Sequence, residues 1–166
     1  MGVTDEPHGA AATTPARAGA PHRHPGLLVL IFLGGALGTS ARAALEDAAP
    51  AQPAGVPSTT LAINVVGSLL LGALLEVLAR TGPDAGWRRA ARLTLGTGLL
   101  GGFTTYSTFA VETVQRLSPD TYAVGLVYAL VSIALGIAAA AGGYVLARRL
   151  TGLRSRQRSR AAEPRR

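Results

Sequence analysis

Four long apolar stretches, separated by short polar connectors, set the pattern of this chain. They run from about Gly26 to Leu45, Thr59 to Ala79, Ala91 to Val114 and Tyr122 to Ala147. Each meets the ~20 residues that a helix needs to cross ~30 Å of hydrocarbon. The pattern therefore predicts an all-α membrane protein with four transmembrane helices over residues 26–148. The connectors EDAAPAQPAGVPS, RTGPDAGWRR and QRLSPD hold the prolines, glycines and charges that end helices. Residues 1–25 mix Ala, Pro, Gly, Thr and His with no apolar period, and a disordered leader is expected there. Residues 149–166 read as a basic, disordered tail suited to an anionic lipid surface.

The polar positions inside the spans interrupt this pattern and are the functional candidates, because such groups are costly unless they face protein or water. In the first span, Gly34 and Gly38 form a GxxxG face on which another backbone can approach closely. Arg42 lies at its outer end, as a snorkelling anchor or as part of a site. The second span carries Asn64, Ser68 and Gly72, four residues apart and hence on one stripe. Asn64 reads equally as an amide bonded across a helix interface or as an NH₂ donor lining a pore. Tyr128, Ser132 and Gly136 repeat that spacing in the fourth span. Their hydroxyls form a short polar track or close on their own helix carbonyls. Glu76 and Glu112 lie near span ends, where they are expected to reach interfacial water.

The third span holds GGFTTYSTF, Gly101 to Phe109. Paired glycines followed by β-branched residues disfavour a continuous helix, so this helix is expected to break inside the membrane. A break frees backbone groups that are tolerable only in protein or in a cavity, where they often hold an ion. Inward carbonyls suit a hard cation such as Na⁺, whereas hydroxyls and N–H groups suit an anion. Tyr106 and Phe109, three apart, share a face of any helix resumed after the break. Their positive ring edges can touch an anion, or the pair is ordinary packing.

Composition narrows the classes. The chain is 48% apolar, with a mean hydropathy of +0.31, and its charges sit almost wholly outside the four stretches. No cysteine is present, and His8, His22 and His24 all lie in the leader. Thiolate chemistry is thereby excluded, and the spans hold no His or Asp for an intramembrane enzyme. The basic tail lacks aromatic residues for base stacking, so no nucleic-acid partner is expected. LLVLIFL followed by TSARA has the outline of a signal peptide, but the long polar leader and the glycines after the apolar core argue against cleavage. All 16 basic residues are arginine. With four spans, fourteen fall on the side of both termini and only Arg42 and Arg116 on the other. This bias predicts cytoplasmic termini and a single orientation.

GGALGTSAR, TLAINVVGSLLLG and above all GTGLLGGFTTYSTFAVE resemble the signatures of the small bacterial fluoride channels of the Fluc/CrcB type. The resemblance spans nearly all of residues 26–148. It implies an antiparallel dimer of four-helix subunits in the bacterial cell membrane, with two fluoride pathways and passive export of F⁻. It also implies a structural Na⁺ at the dimer centre, held by the carbonyls of Gly101 and Thr104. Along the fluoride path it places Asn64, the ring edges of Tyr106 and Phe109, and the hydroxyls of Ser107, Thr108, Tyr128 and Ser132. Arg42 matches the arginine that ends the family's first helix. Two positions depart from the family pattern: Tyr106 stands where phenylalanine is usual, and Gly136 where a further hydroxyl can occur. The one-sided arginines add a partner: an antiparallel mate for this chain is expected to be an oppositely biased paralogue. The rival readings are a small four-helix transporter, which lacks its membrane-centred acidic residue in the first span, and a non-conducting assembly subunit.

Overall fold

The computed structural model describes residues 25–50, 55–117 and 121–161, with side chains through residue 152. Among them there is no strand. Helices α1 (Pro25–Ala48) and α2 (Ser58–Thr81) are each 24 residues long. The third apolar stretch is assembled from pieces. The short α3 (Gly86–Ala91) leads into a π-helical stretch, Arg92–Leu100, followed by α4 (Gly101–Phe103) and, after an interruption, α5 (Ser107–Gln115). The last helix, α6, runs from Tyr122 to Ala161. α1, α2 and the Tyr122–Gly152 part of α6 are long and apolar enough to cross a membrane. No piece of the third stretch reaches that length alone, because the helix is interrupted.

Apolar content ends the fourth stretch near Ala147, yet the backbone stays helical to Ala161. Arg, Leu, Gln and Ala beyond that point are good helix formers, so a change from lipid-compatible to polar side chains does not end the helix. Forty residues rise about 60 Å, twice the hydrocarbon thickness. Part of α6 must therefore lie outside it. The leader expected over residues 1–25 falls outside the described residues, apart from Pro25, which opens α1.

The helices pack as two close pairs, with α2 along α6 and α1 along the π-helical stretch and α4. Both pairings depend on missing side chains. A Cβ on Gly38 would lie 2.0 Å from Leu99 O, and one on Gly34 2.4 Å from Thr94 O. The close approach expected of the GxxxG face is thus made, and its partner is the third stretch. On the other pair, a Cβ at Gly72 would stand 2.1 Å from Ala140 O, and one at Gly143 2.0 Å from Leu69 O. Without a hydrophobic drive between helices in lipid, such backbone contact is a main source of packing energy. Large apolar side chains instead point outward, among them Phe32, Leu37 and Ile137. At the turn before the π-helical stretch, Arg92 forks onto Asp84 at 2.8 and 3.1 Å. That hydrogen bond holds the Asp84 carboxyl below its ordinary range.

Candidate functional site

The third stretch does break, but one turn later than its glycines suggest. Gly101 and Gly102 are helical, and the interruption falls on Thr104–Tyr106. Gly102 is spent on proximity, since a Cβ there would meet Gly35 O at 2.5 Å. Thr104 turns extended, at φ −76° and ψ 156°. Its own N–H still donates to Leu100 O at 3.0 Å. The next N–H, that of Thr105, would close on Gly101 O in a continued helix. It donates instead to Asn64 Oδ1 at 2.9 Å, and Asn64 Nδ2 donates back to Thr105 O, also at 2.9 Å. A side chain of α2 has replaced one turn of helix hydrogen bonding. The Gly101 carbonyl loses its helical partner, and the Thr104 carbonyl is swung out of the helix direction.

Thr105 also starts the next helix. Its Oγ1 accepts the Thr108 N–H at 3.1 Å, the bond by which an N-cap side chain satisfies the third N–H of a helix. The same hydroxyl donates to Thr108 Oγ1 at 3.0 Å and lies 3.3 Å from Ser107 Oγ. Ser107 and Thr108 thus gather around a cap.

A cavity of about 460 Å³ opens beside the break. Among the residues singled out from sequence, Asn64, Ser68, Gly101, Thr104, Tyr106, Phe109, Ser132 and Gly136 line it. Ser107, Thr108, Tyr128 and Arg42 stand outside its wall, which contains no charged side chain. Tyr106 is 80% exposed. Its ring lies 6.2 Å from that of Phe109, which lies 5.6 Å from that of Tyr128, so the three form a row. Ser132 Oγ is buried and has no hydrogen-bond partner among the described residues. Gly136, on the same wall, faces Ser68 Oγ of α2, 3.7 Å from where its Cβ would be.

Beyond the aromatic row lies a buried polar cluster. The two oxygens of the Glu112 carboxyl accept from Thr60 Oγ1 and Tyr128 Oη, each at 2.9 Å. Glu112 is buried rather than in interfacial water, because α5 turns it toward α2 and α6. Glu76 is buried too, paired with Arg80 one turn on. The Tyr128 hydroxyl therefore spends its hydrogen on Glu112 and presents only lone pairs to other groups. Arg116, also buried, donates to Glu112 O at 2.9 Å and through Nη2 to Gly55 O at 2.8 Å, tying the first connector to α5. On the other side of the break, Arg42 pairs with Glu46 at 3.1 Å, and its Nε reaches Gly102 O at 3.4 Å. It is neither a free cation nor a plain snorkelling anchor.

The model of a family described as CrcB-like protein, Camphor Resistance (CrcB), matches residues 29–144, from the first turns of α1 well into α6 and across the whole break. The chain belongs to the CrcB family. Curated relatives agree over the same region. The chain is 52% identical over 120 residues to the fluoride-specific ion channel FluC 1 of Cutibacterium acnes, covering 72% of this chain and 84% of that one. It is 50% identical over 125 residues to FluC 2 of Leifsonia xyli, covering 75% and 86%. To the FluC channel of Deinococcus radiodurans it is 43% identical over 126 residues, covering 75% and 97%. These relatives carry the name of a channel, not of an enzyme. With three helices of membrane length, this CrcB chain is a multi-pass membrane protein.

Around the candidate site, Thr60 and Thr105 have no role assigned from sequence, and Glu112 is assigned to interfacial water instead of this cluster. Thr105 left one local signal, the threonine three positions on in TYST, which is the spacing of a hydroxyl cap. The pairing of Thr60 with Glu112 left none, since the two are 52 residues apart in the chain.

Proposed function

We propose that this chain is a subunit of a fluoride channel that lets cytoplasmic F⁻ leave passively and so limits its toxicity. The observation that carries the reading is a cavity of neutral donors beside a broken backbone, in a chain related to channels named for fluoride. A small, strongly hydrated anion needs its water replaced at close quarters. The Asn64 amide, the Ser132 hydroxyl and the ring edges of Tyr106 and Phe109 supply donors without a fixed positive charge that would trap it. Ser68, reaching across to Gly136, supplies the hydroxyl that α6 lacks at that level. Ser107 and Thr108 would act from the cap, and Tyr128 as a ring and lone-pair neighbour. An interior-negative potential drives F⁻ outward at ~2.3 kcal/mol per 100 mV.

In this reading α3, the π-helical stretch, α4 and α5 together make the third of four crossings, and two subunits pair antiparallel. Gly101 is exposed at mid-span, which suits a surface covered by a second subunit. Sodium fits the break: the carbonyls of Gly101 and Thr104 are released from helical bonding, and backbone oxygens are hard donors for a hard cation. A Na⁺ there would neutralise inward carbonyl dipoles and join the subunits. Arg42 would steady this region through Gly102 O.

Fluoride efflux from liposomes tests the channel. Efflux is expected with the chain and its antiparallel mate, and Phe109→Ile is expected to remove most of it while the protein still assembles. No efflux from liposomes holding the chain alone or the chain with its mate would favour a silent assembly subunit. Orientation is tested separately. The arginine bias leads us to expect both termini in the cytoplasm in every copy, read by the accessibility of a tag at each end. A singly expressed chain that inserts both ways and forms a working dimer would rule out the need for a paralogous partner.

A further inference from the structure

We infer that Asn64 is the positioning residue for the cation site, and that through it sodium binding and the anion cavity are coupled. The inference rests on the reading that Gly101 and Thr104 hold sodium, and it assigns the preparation of that site to α2.

The geometry runs from α2 outward. Close backbone contacts at Gly72 and Gly143 seat α2 on α6. The helix carrying Asn64 is therefore held independently of the break. Gly67 lies against the break itself, since a Cβ there would meet Thr104 Cγ2 at 2.2 Å. One turn earlier, Asn64 sits at the distance where its short side chain spans to Thr105. Its carboxamide accepts from Thr105 N–H and donates to Thr105 O, both at 2.9 Å. Among side chains of this size only a carboxamide can do both: Asp has two acceptors and Ser one short hydroxyl.

This pair has two consequences for the carbonyls on either side. Removing the Thr105 N–H from the helix leaves Gly101 O without its partner, and so available to a cation. Anchoring Thr105 at both N–H and C=O fixes the peptide planes next to Thr104, and with them the direction of Thr104 O. The same Asn64 lines the cavity, and its amide keeps a second N–H beyond the one given to Thr105. A change in the break thus moves an anion donor, and an anion on Asn64 bears on the break. Coupling of this kind is reciprocal.

The test uses the purified full chain, with its antiparallel mate where one is required. The thermal midpoint is followed against Na⁺ at constant ionic strength, with N-methylglucamine replacing sodium. The wild-type protein is expected to be stabilised specifically by Na⁺. Asn64→Ala is expected to raise the Na⁺ concentration for half the effect at least about tenfold, as loss of a residue orienting metal ligands commonly does. Gly142→Ala on α6, where nothing lies within 4 Å of the added methyl, is expected to leave that concentration unchanged. An unchanged Na⁺ midpoint in Asn64→Ala overturns the inference and leaves the sodium site standing. A wild-type protein with no Na⁺-specific stabilisation overturns the sodium site and this inference with it. If Asn64→Ala does not fold, hydrogen exchange at the Thr105 amide of the wild-type protein decides. Exchange at least about tenfold slower in Na⁺ than in N-methylglucamine is expected, and equal rates overturn the coupling.

Discussion

Gly38→Ala is expected to prevent stable assembly of the subunit. The added methyl would sit 2.0 Å from Leu99 O and 2.9 Å from Phe103 N. Both are backbone atoms, so no rotamer change relieves the clash. To make room, α1 must retreat from the π-helical stretch, and every contact along that pairing is loosened. Overpacking of a well-packed core costs about 1–3 kcal/mol, and a clash with backbone should lie at or above the top of that range. Gly142→Ala on α6 is the matched control, because nothing lies within 4 Å of the new methyl. There alanine is expected to be neutral, or to stabilise by roughly 0.5–1 kcal/mol through helix propensity. Chemical denaturation in detergent micelles compares the two. A Gly38→Ala protein as stable as the wild type would mean that α1 does not pack on the third stretch as described.

The second large effect is expected at Glu112. Glu112→Leu keeps much of the side chain's bulk but removes both acceptors at once. The Thr60 and Tyr128 hydroxyls are then left buried without partners, at about 1–3 kcal/mol each. Glu112→Gln should be far milder, because its amide still accepts from one hydroxyl and donates to the oxygen of the other. A double-mutant cycle isolates the Tyr128 share. In a Tyr128→Phe background, Glu112→Leu is expected to cost less by about 1–3 kcal/mol, since one stranded hydroxyl is already gone. Additive effects would show that Tyr128 and Glu112 are not partners.

Gly34 and Gly38 announce close approach by spacing alone, and the approach is there. The stripe of Asn64, Ser68 and Gly72 was legible as a stripe because 3.6-residue periodicity puts those positions on one face. Which of two roles Asn64 plays was not legible. Its partner, Thr105, lies 41 residues away, and no local pattern records a cross-helix pair. Tyr128 reads as a donor along the path until Glu112, 16 residues before it, is seen to take its hydrogen.

By itself, then, the sequence determined where lipid can be tolerated and where the third helix is weak, and it set the expectation of a single orientation. Each of these follows from local composition, acting through hydrophobic transfer, helix propensity and the cost of moving arginine. Only the tertiary structure decided on which residue the helix ends. The glycines at 101 and 102 weaken the helix yet stay in it, because α1 packs onto Gly102 and the propensity cost is small beside that contact. The helix stops at Thr104 because Asn64, held by a different helix, offers Thr105 a better hydrogen-bond partner than the next turn could.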